Sequence, residues 1–105
     1  MKDLFYVYFI TNKYDTVIYT GFTDVIYERT MQHKEKVNPG FSRKYNCYKL
    51  VYYEIFDNAE DALHREWQLK RYRRKWKEDL INKMNPGWRD LREDFEVTGL
   101  QYNNK

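Results

Sequence analysis

At 105 residues, 42% of them hydrophobic, the chain is sized for one domain with a modest core, and a formal net charge of +3 does not by itself mark it for any polyanionic partner. The lone Cys47 excludes an internal disulfide framework and a Cys-rich zinc site, fits a reducing compartment, and leaves His33 and His64 as the only imidazoles. No stretch approaches the ~18–20 apolar residues of a membrane helix, and the run at 4–10 is too short and aromatic for a signal peptide, so a cytoplasmic protein is expected.

Residues 4–10 (LFYVYFI) are aromatic and β-branched and read as a strand, with Leu4, Tyr6, Tyr8 and Ile10 on one face. A polar turn over 12–15 leads to a second strand at 17–22, and so short a connection implies an antiparallel hairpin. Gly21 inside that strand marks a bulge or a close backbone approach. Thr23 or Asp24 can cap a helix from Val25 to about Lys36, which ends before Asn38-Pro39-Gly40. A basic loop over 41–47 precedes the third strand, 48–56 (YKLVYYEIF). Asp57 or Asn58 caps a long helix over about 59–73. A second helical stretch follows with Trp76, Leu80, Ile81 and Met84 on one face, halted at Asn85-Pro86-Gly87. Trp88, Leu91 and Phe95 are expected to fold back on the core. The expected fold is α/β (α+β), a small three-stranded antiparallel sheet flanked by helices in the order β-β-α-β-α-α. One domain is expected over 1–97, with a flexible tail over 98–105.

Several positions carry chemistry. Glu66 falls at the edge of an apolar helical stripe with Ala62, Leu63 and Leu69, extended by Ala59 and Arg73. A carboxylate there needs a cation, a donor or a metal, and an ion pair with a nearby Arg satisfies it as well as a metal would. Arg29 and His33 are four apart on the first helix and share a face, and Tyr19 lies on the strand leading into it. A guanidinium, an imidazole and a phenol so placed suit phosphoryl chemistry. They equally suit a boundary Arg beside a satisfied core His. Between His64 and Lys77 there are seven Lys or Arg (Arg65, Lys70, Arg71, Arg73, Arg74, Lys75 and Lys77) against one Glu, interleaved with Trp67, Tyr72 and Trp76. That strip fits a nucleic-acid footprint or a solvated helix face, and Arg43 and Lys44 would extend it as a footprint.

The order and spacing of Tyr8, Tyr19, Arg29, His33, Glu66 and Asn85 together resemble the GIY-YIG nuclease family, from Tyr6 to about Leu91. The two name-giving tripeptides would be Tyr6-Val7-Tyr8 and Tyr19-Thr20-Gly21. The small stand-alone bacterial members look especially similar, through Lys49-Leu50-Val51-Tyr52-Tyr53-Glu54 and Asn85-Pro86-Gly87-Trp88. The chain departs from the pattern at Tyr6, Val7 and Thr20. It also has Phe22 where the similar domain of the excision-repair incision nuclease carries a Lys.

The resemblance implies a divalent-metal-dependent endonuclease acting on nucleic acid, DNA in preference to RNA, in repair or processing. It implies catalytic Tyr8, Tyr19, Arg29, His33, Glu66 and Asn85, with Glu66 the one protein ligand of a single Mg²⁺ or Mn²⁺ ion, an oxygen-only shell that suits either. Arg29 would hold phosphate charge, and Tyr19 or Tyr8 would help deprotonate the attacking water. His33 would orient or relay that proton, and Asn85 would hold the site together. Arg43, Lys44, Lys70, Arg71, Arg73, Arg74, Lys75 and Lys77 would contact the nucleic acid. Family members usually borrow specificity from an added domain, so either weak specificity or a protein partner that supplies it is expected here. The competing readings are a catalytically silent nucleic-acid-binding module of the same fold, and an interaction domain that uses its aromatic surface.

Overall fold

The run of strand-forming residues near the N-terminus is apolar on both sides, and this decides where it goes. In the computed structural model, which describes residues 3–35 and 44–95, it becomes β1 (Phe5–Thr11), and every residue from Val7 to Thr11 is buried. A strand with two apolar faces must lie inside a sheet covered on both sides. β1 is accordingly the middle strand of three, between β2 (Ile18–Thr23) and β3 (Lys49–Phe56), both antiparallel to it. The core is therefore split. Val7 and Phe9 pack in one layer with Val51, Tyr52, Ala62, Leu69 and Ile81. Tyr8 and Ile10 pack in the other with Ile26, Cys47, Leu50 and Leu91, and Tyr6, Tyr19, Tyr53 and Phe95 close its margins. Leu4, expected on the face of Tyr6 and Tyr8, lies outside the strand and is exposed.

The turn from β1 to β2 is pinned by Asn12, whose Oδ1 accepts the backbone N–H of Thr16 (2.8 Å) and of Val17 (3.1 Å). Asp15 takes a left-handed conformation there, φ 58°, a region Asp tolerates, and pairs with Lys49 at 2.9 Å. Helix α1 (Ile26–Lys34) follows β2, with Thr23 Oγ1 accepting the Val25 N–H just upstream at 3.0 Å. The expected continuation to Lys36, the Asn38-Pro39-Gly40 stop, Arg43 and the tail over 98–105 lie outside the described residues.

Helix α2 (Ala59–Lys70) opens on Asn58, whose Oδ1 accepts the Asp61 N–H at 2.8 Å. It is shorter than the expected 59–73. The N–H groups of Arg71 and Tyr72 turn back three residues to the carbonyls of Gln68 and Leu69, and the chain leaves the helix through extended Arg73 into α3 (Arg74–Met84). Both helices cover the Val7–Phe9 face, and each buries only part of its expected stripe, Leu80 packing on the core beside Ile81. In α2 the buried residues are Ala62 and Leu69, whereas Leu63 is 48% exposed. In α3 the inward line runs through Lys77, Ile81 and Asn85, and Trp76 and Met84 stand largely in solvent. Among the described residues no helix is long and apolar enough to cross a membrane.

The β1–β3 register slips between Phe9 and Ile10, which pair with Tyr52 and Leu50. Val51 is the extra residue, so Val51 and Tyr52 both face the α2–α3 layer. A bulge frees backbone groups, and Asn85, at the end of α3, answers this one. Its Nδ2 donates to the Val51 carbonyl at 3.0 Å and to the Arg89 carbonyl at 2.9 Å. Asn85→Ala should cost about 2–4 kcal/mol, since each buried group left unpaired costs roughly 1–3 kcal/mol. Urea unfolding of the variant beside the parent measures it, and a change under about 0.5 kcal/mol, the usual scale of neutral surface changes, would refute this role.

Candidate active site

Tyr8 belongs to the inner strand, yet its ring reaches outward across β2. It pairs in register with Gly21, and a Cβ on residue 21 would overlap the Tyr8 ring. The missing side chain is what admits the phenol, the close approach the sequence pointed to. Beyond Gly21 the Tyr8 hydroxyl lies 3.0 Å from His33 Nε2, and the Tyr19 and His33 rings stand 5.6 Å apart between centroids. Arg29, one turn before His33, faces the same place. Its Nε is buried and finds no hydrogen-bond partner among the described residues, an orphaned donor suited to an oxyanion.

Burial fixes the protonation of this group. The His33 imidazole is pushed down to about 4 by desolvation and then by the Arg29 charge, so it is neutral near pH 7. The Tyr8 phenol is pushed up strongly by burial and then by Tyr19, and the Glu66 carboxylate adds to the rise against the opposing pull of Arg29. Tyr8 therefore keeps its proton, and a His33 carrying its hydrogen on Nδ1 accepts it at Nε2.

Glu66 approaches from the other layer. It is the carboxylate of α2 that Tyr8 senses, and its side chain is 18% exposed. Among the described residues no Arg pairs with it: Arg65 instead forks onto Glu54 of β3, Nε to Oε1 at 2.9 Å and Nη2 to Oε2 at 3.0 Å. Tyr52 also bonds Glu54, and the Tyr72 hydroxyl bonds Arg65. Glu66 is left with Lys70, one turn on, at 3.2 Å. Lys70 and Lys77 line a shallow concavity of about 270 Å³ with Ile18, Tyr19 and Thr20, where the two faces of β2 meet at the sheet edge. Lys77 Nζ donates to Thr20 Oγ1 at 3.2 Å, and desolvation followed by the Lys70 charge lowers its pKa. Nothing in the sequence singled out the Lys77–Thr20 contact, because the two residues meet only through the packing of α3 on β2.

The remaining basic residues do not share one face. Arg74 is committed to structure, donating to the carbonyls of Thr16 and Asp15 and pairing with Glu78. Arg71 lies 3.9 Å over the Trp67 ring, Arg73 lies over Trp76, and Lys75 points into solvent near Asp79. Lys44 stands over Tyr45. Asn85 is 5% exposed and spends its amide on the β3 bulge and the following turn. Tyr8, Tyr19, Arg29, His33 and Glu66 thus gather at one sheet edge, and Asn85 holds the layer behind them.

Residues 4–79 match the family model described as the GIY-YIG catalytic domain, and the chain belongs to that family of nuclease domains. Its curated relatives carry the name UPF0213 protein. One from Haloquadratum walsbyi is 34% identical over 80 residues, 76% of this chain and 89% of the relative. One from Clostridium perfringens is 35% identical over 77 residues, 73% of this chain and 82% of the relative. A solution NMR structure of a UPF0213 protein from Bacillus halodurans shares 27% identity, with a TM-score of 0.49, covering 80% of this chain and 87% of its own.

Because His33 holds its proton more weakly folded than unfolded (about 4 against 6.5), the unfolded chain takes up the proton first on acidification. The neutral ring's contribution is therefore complete above about pH 6.5 and is lost as pH falls toward 4. In His33→Gln this part of the acid slope should flatten in urea midpoints taken across that window. An unchanged slope would show that His33 titrates normally in the folded protein.

Proposed function

We propose that the chain is a divalent-metal-dependent endonuclease that hydrolyses phosphodiester bonds, on DNA in preference to RNA, in nucleic-acid repair or processing. The observation that carries this reading is the convergence of Tyr8, Tyr19, Arg29, His33 and Glu66 at the β2 edge from two opposite layers of the sheet. A buried Arg29 Nε with no partner among the described residues suits phosphate oxygens rather than a neutral ligand, and Tyr19 also borders a lysine-lined concavity.

The donor set fits a sparsely held cation. Among the described residues no three His, Cys, Asp or Glu side chains are grouped to enclose a metal, and Glu66 faces the site with only an exposed lysine on it. One carboxylate, with water and phosphate oxygens completing the shell, suits Mg²⁺ or Mn²⁺. When bound, such an ion supplies charge neutralisation on the phosphate as the leaving oxygen departs.

The chain's own residues do the rest. Arg29 binds and orients the phosphate, and Lys70 and Lys77 hold its neighbours along the strand. Tyr8, buried and fully protonated, is a poor base; with its hydroxyl on His33 it fixes the imidazole and the wall of the site. Tyr19 lines the open concavity, so it is the phenol that water can reach, and it takes the role of proton acceptor at the attacking water.

Cleavage of a labelled panel of single strand, duplex, flap and junction, in DNA and RNA with Mg²⁺ or Mn²⁺, tests the reading. Glu66→Gln and Arg29→Ala should each lower the rate by about 10²-fold or more, the scale of losing a charge-stabilising group. Tyr19→Phe should cost roughly 10²–10⁴-fold, as for a general base, and Tyr8→Phe less. No metal-dependent cutting by the parent would remove the enzyme and leave a binding module, whereas a larger loss in Tyr8→Phe than in Tyr19→Phe would reverse the two roles.

Binding by the Glu66→Gln chain should weaken steeply with salt. Lys70→Ala and Lys77→Ala should each reduce the log–log salt slope by about 1, the signature of one phosphate contact. Slopes equal to the parent's would take these lysines out of the footprint.

A further inference from the structure

A second concavity opens beyond the site, on the far side of His33. It holds about 500 Å³ and is lined by Lys13 and Tyr14 of the β1–β2 turn, by Lys34, and by Tyr45, Asn46 and Tyr48 of the segment entering β3. Its position follows from the backbone. Lys34 directly follows His33 on α1, so their Cα atoms are about 3.8 Å apart. The wall formed by 45–48 is tied to the end of β1 by the Tyr48 N–H on the Thr11 carbonyl at 3.0 Å. The cavity therefore adjoins α1 at the residue that follows His33, next along the chain from the Arg29–His33 face.

The lining chemistry is selective. Tyr14 is 75% exposed and Tyr45 40%, so both present ring surface to solvent. Each is overlaid by a lysine, Lys13 Nζ 5.7 Å from the Tyr14 centroid and Lys44 Nζ 5.5 Å from that of Tyr45. Asn46 adopts φ 57° at the rim. Of the nearby acids, Asp15 is neutralised by Lys49 at 2.9 Å and Glu35 is exposed at the end of α1. Phenol rings edged by ammonium groups, in a volume within the few-hundred-Å³ range of small-ligand sites, match a planar heterocycle attached to phosphate. A paired base in a duplex hides its faces by stacking and cannot enter. An unpaired one can.

We propose that this cavity is a nucleotide subsite, taking one unpaired base of the strand that enters the Tyr19–Glu66 edge, with Lys13 and Lys34 on its flanking phosphates. The identity of the strand rests on the nuclease reading above, whereas occupancy of the cavity is read by binding alone. Fluorescence anisotropy of the Glu66→Gln chain, with a short labelled DNA single strand and a blunt duplex of the same sequence, separates the two. Tyr14→Ala should weaken single-strand binding roughly tenfold or more, the effect of losing one base–aromatic stack, while duplex binding stays near the parent value. Tyr14→Phe should restore the single-strand affinity, and Lys34→Ala should weaken it with a shallower salt dependence. The proposal is overturned if Tyr14→Ala and Lys34→Ala bind the single strand as the parent does, or if Tyr14→Ala weakens both forms equally. Should the parent bind neither form, the nucleic-acid reading falls with it; should the parent bind and cut duplex while Tyr14→Ala is silent on both forms, the subsite alone falls.

Discussion

Tyr8 reaches His33 only because the residue opposite it on β2 has no side chain. That single overlap, phenol ring over Gly21 backbone, carries a hydroxyl from the buried middle strand across β2 to the His33 imidazole. The rest of the site is arranged around the ring. His33 is held by the Tyr8 hydroxyl, Tyr19 lies against His33, and Glu66, arriving from the opposite layer, is near enough to oppose ionisation of Tyr8. An alanine at position 21 would fold into the same strand, but the ring would have to leave its place. The glycine is thus a constraint on geometry more than on backbone conformation.

Charge is partitioned along α2 between two neighbouring carboxylate–cation pairs of different kinds. Arg65 and Glu54 form a forked, half-buried pair extended by Tyr52 and Tyr72, with every partner fixed by packing between α2 and β3. Glu66 and Lys70 form a single contact between residues one helical turn apart, with the lysine in solvent. Pairs of that second type contribute a few tenths of a kcal/mol and rearrange readily. The first therefore secures the helix, and the second leaves its carboxylate available, which is the electrostatic condition that the proposed metal role of Glu66 requires.

Much of this was legible in the residues. The three strands announced themselves by β-branched and aromatic runs, α2 by a cap at Asp57 or Asn58, and the hairpin by the polar turn over 12–15. The close approach at Gly21 was legible from a glycine inside a strand. What the sequence hid was tertiary. Periodicity gives a helix a face, but the buried part of it on α2 and α3 is set by the twisted sheet beneath, which takes Ala62, Leu69, Leu80 and Ile81 of the expected stripes and leaves Leu63, Trp76 and Met84 exposed. The break after Lys70 depends on a local tightening at Arg71 and Tyr72 that no proline or glycine signals. An Arg was one partner weighed for Glu66, and Arg65 beside it in sequence points instead to a strand that sequence distance does not bring into view. The β3 bulge, and with it the work of Asn85, left no mark beyond an Asn before Pro86.

The middle position of β1 bears on how the protein is made. Of the three strands it leaves the ribosome first, yet one edge stays unpaired until Lys49–Phe56 has followed, and one apolar face stays bare until Ala62, Leu69 and Ile81 are synthesised. For that interval the nascent chain exposes an apolar strand of the kind that templates pairing between molecules, so chaperone cover matters most before α3 has been made. The same order keeps the unfinished protein harmless. A chain released before α2 carries Tyr8, Tyr19, Arg29 and His33 but no Glu66, so a prematurely terminated product lacks the carboxylate on which cleavage is proposed to depend.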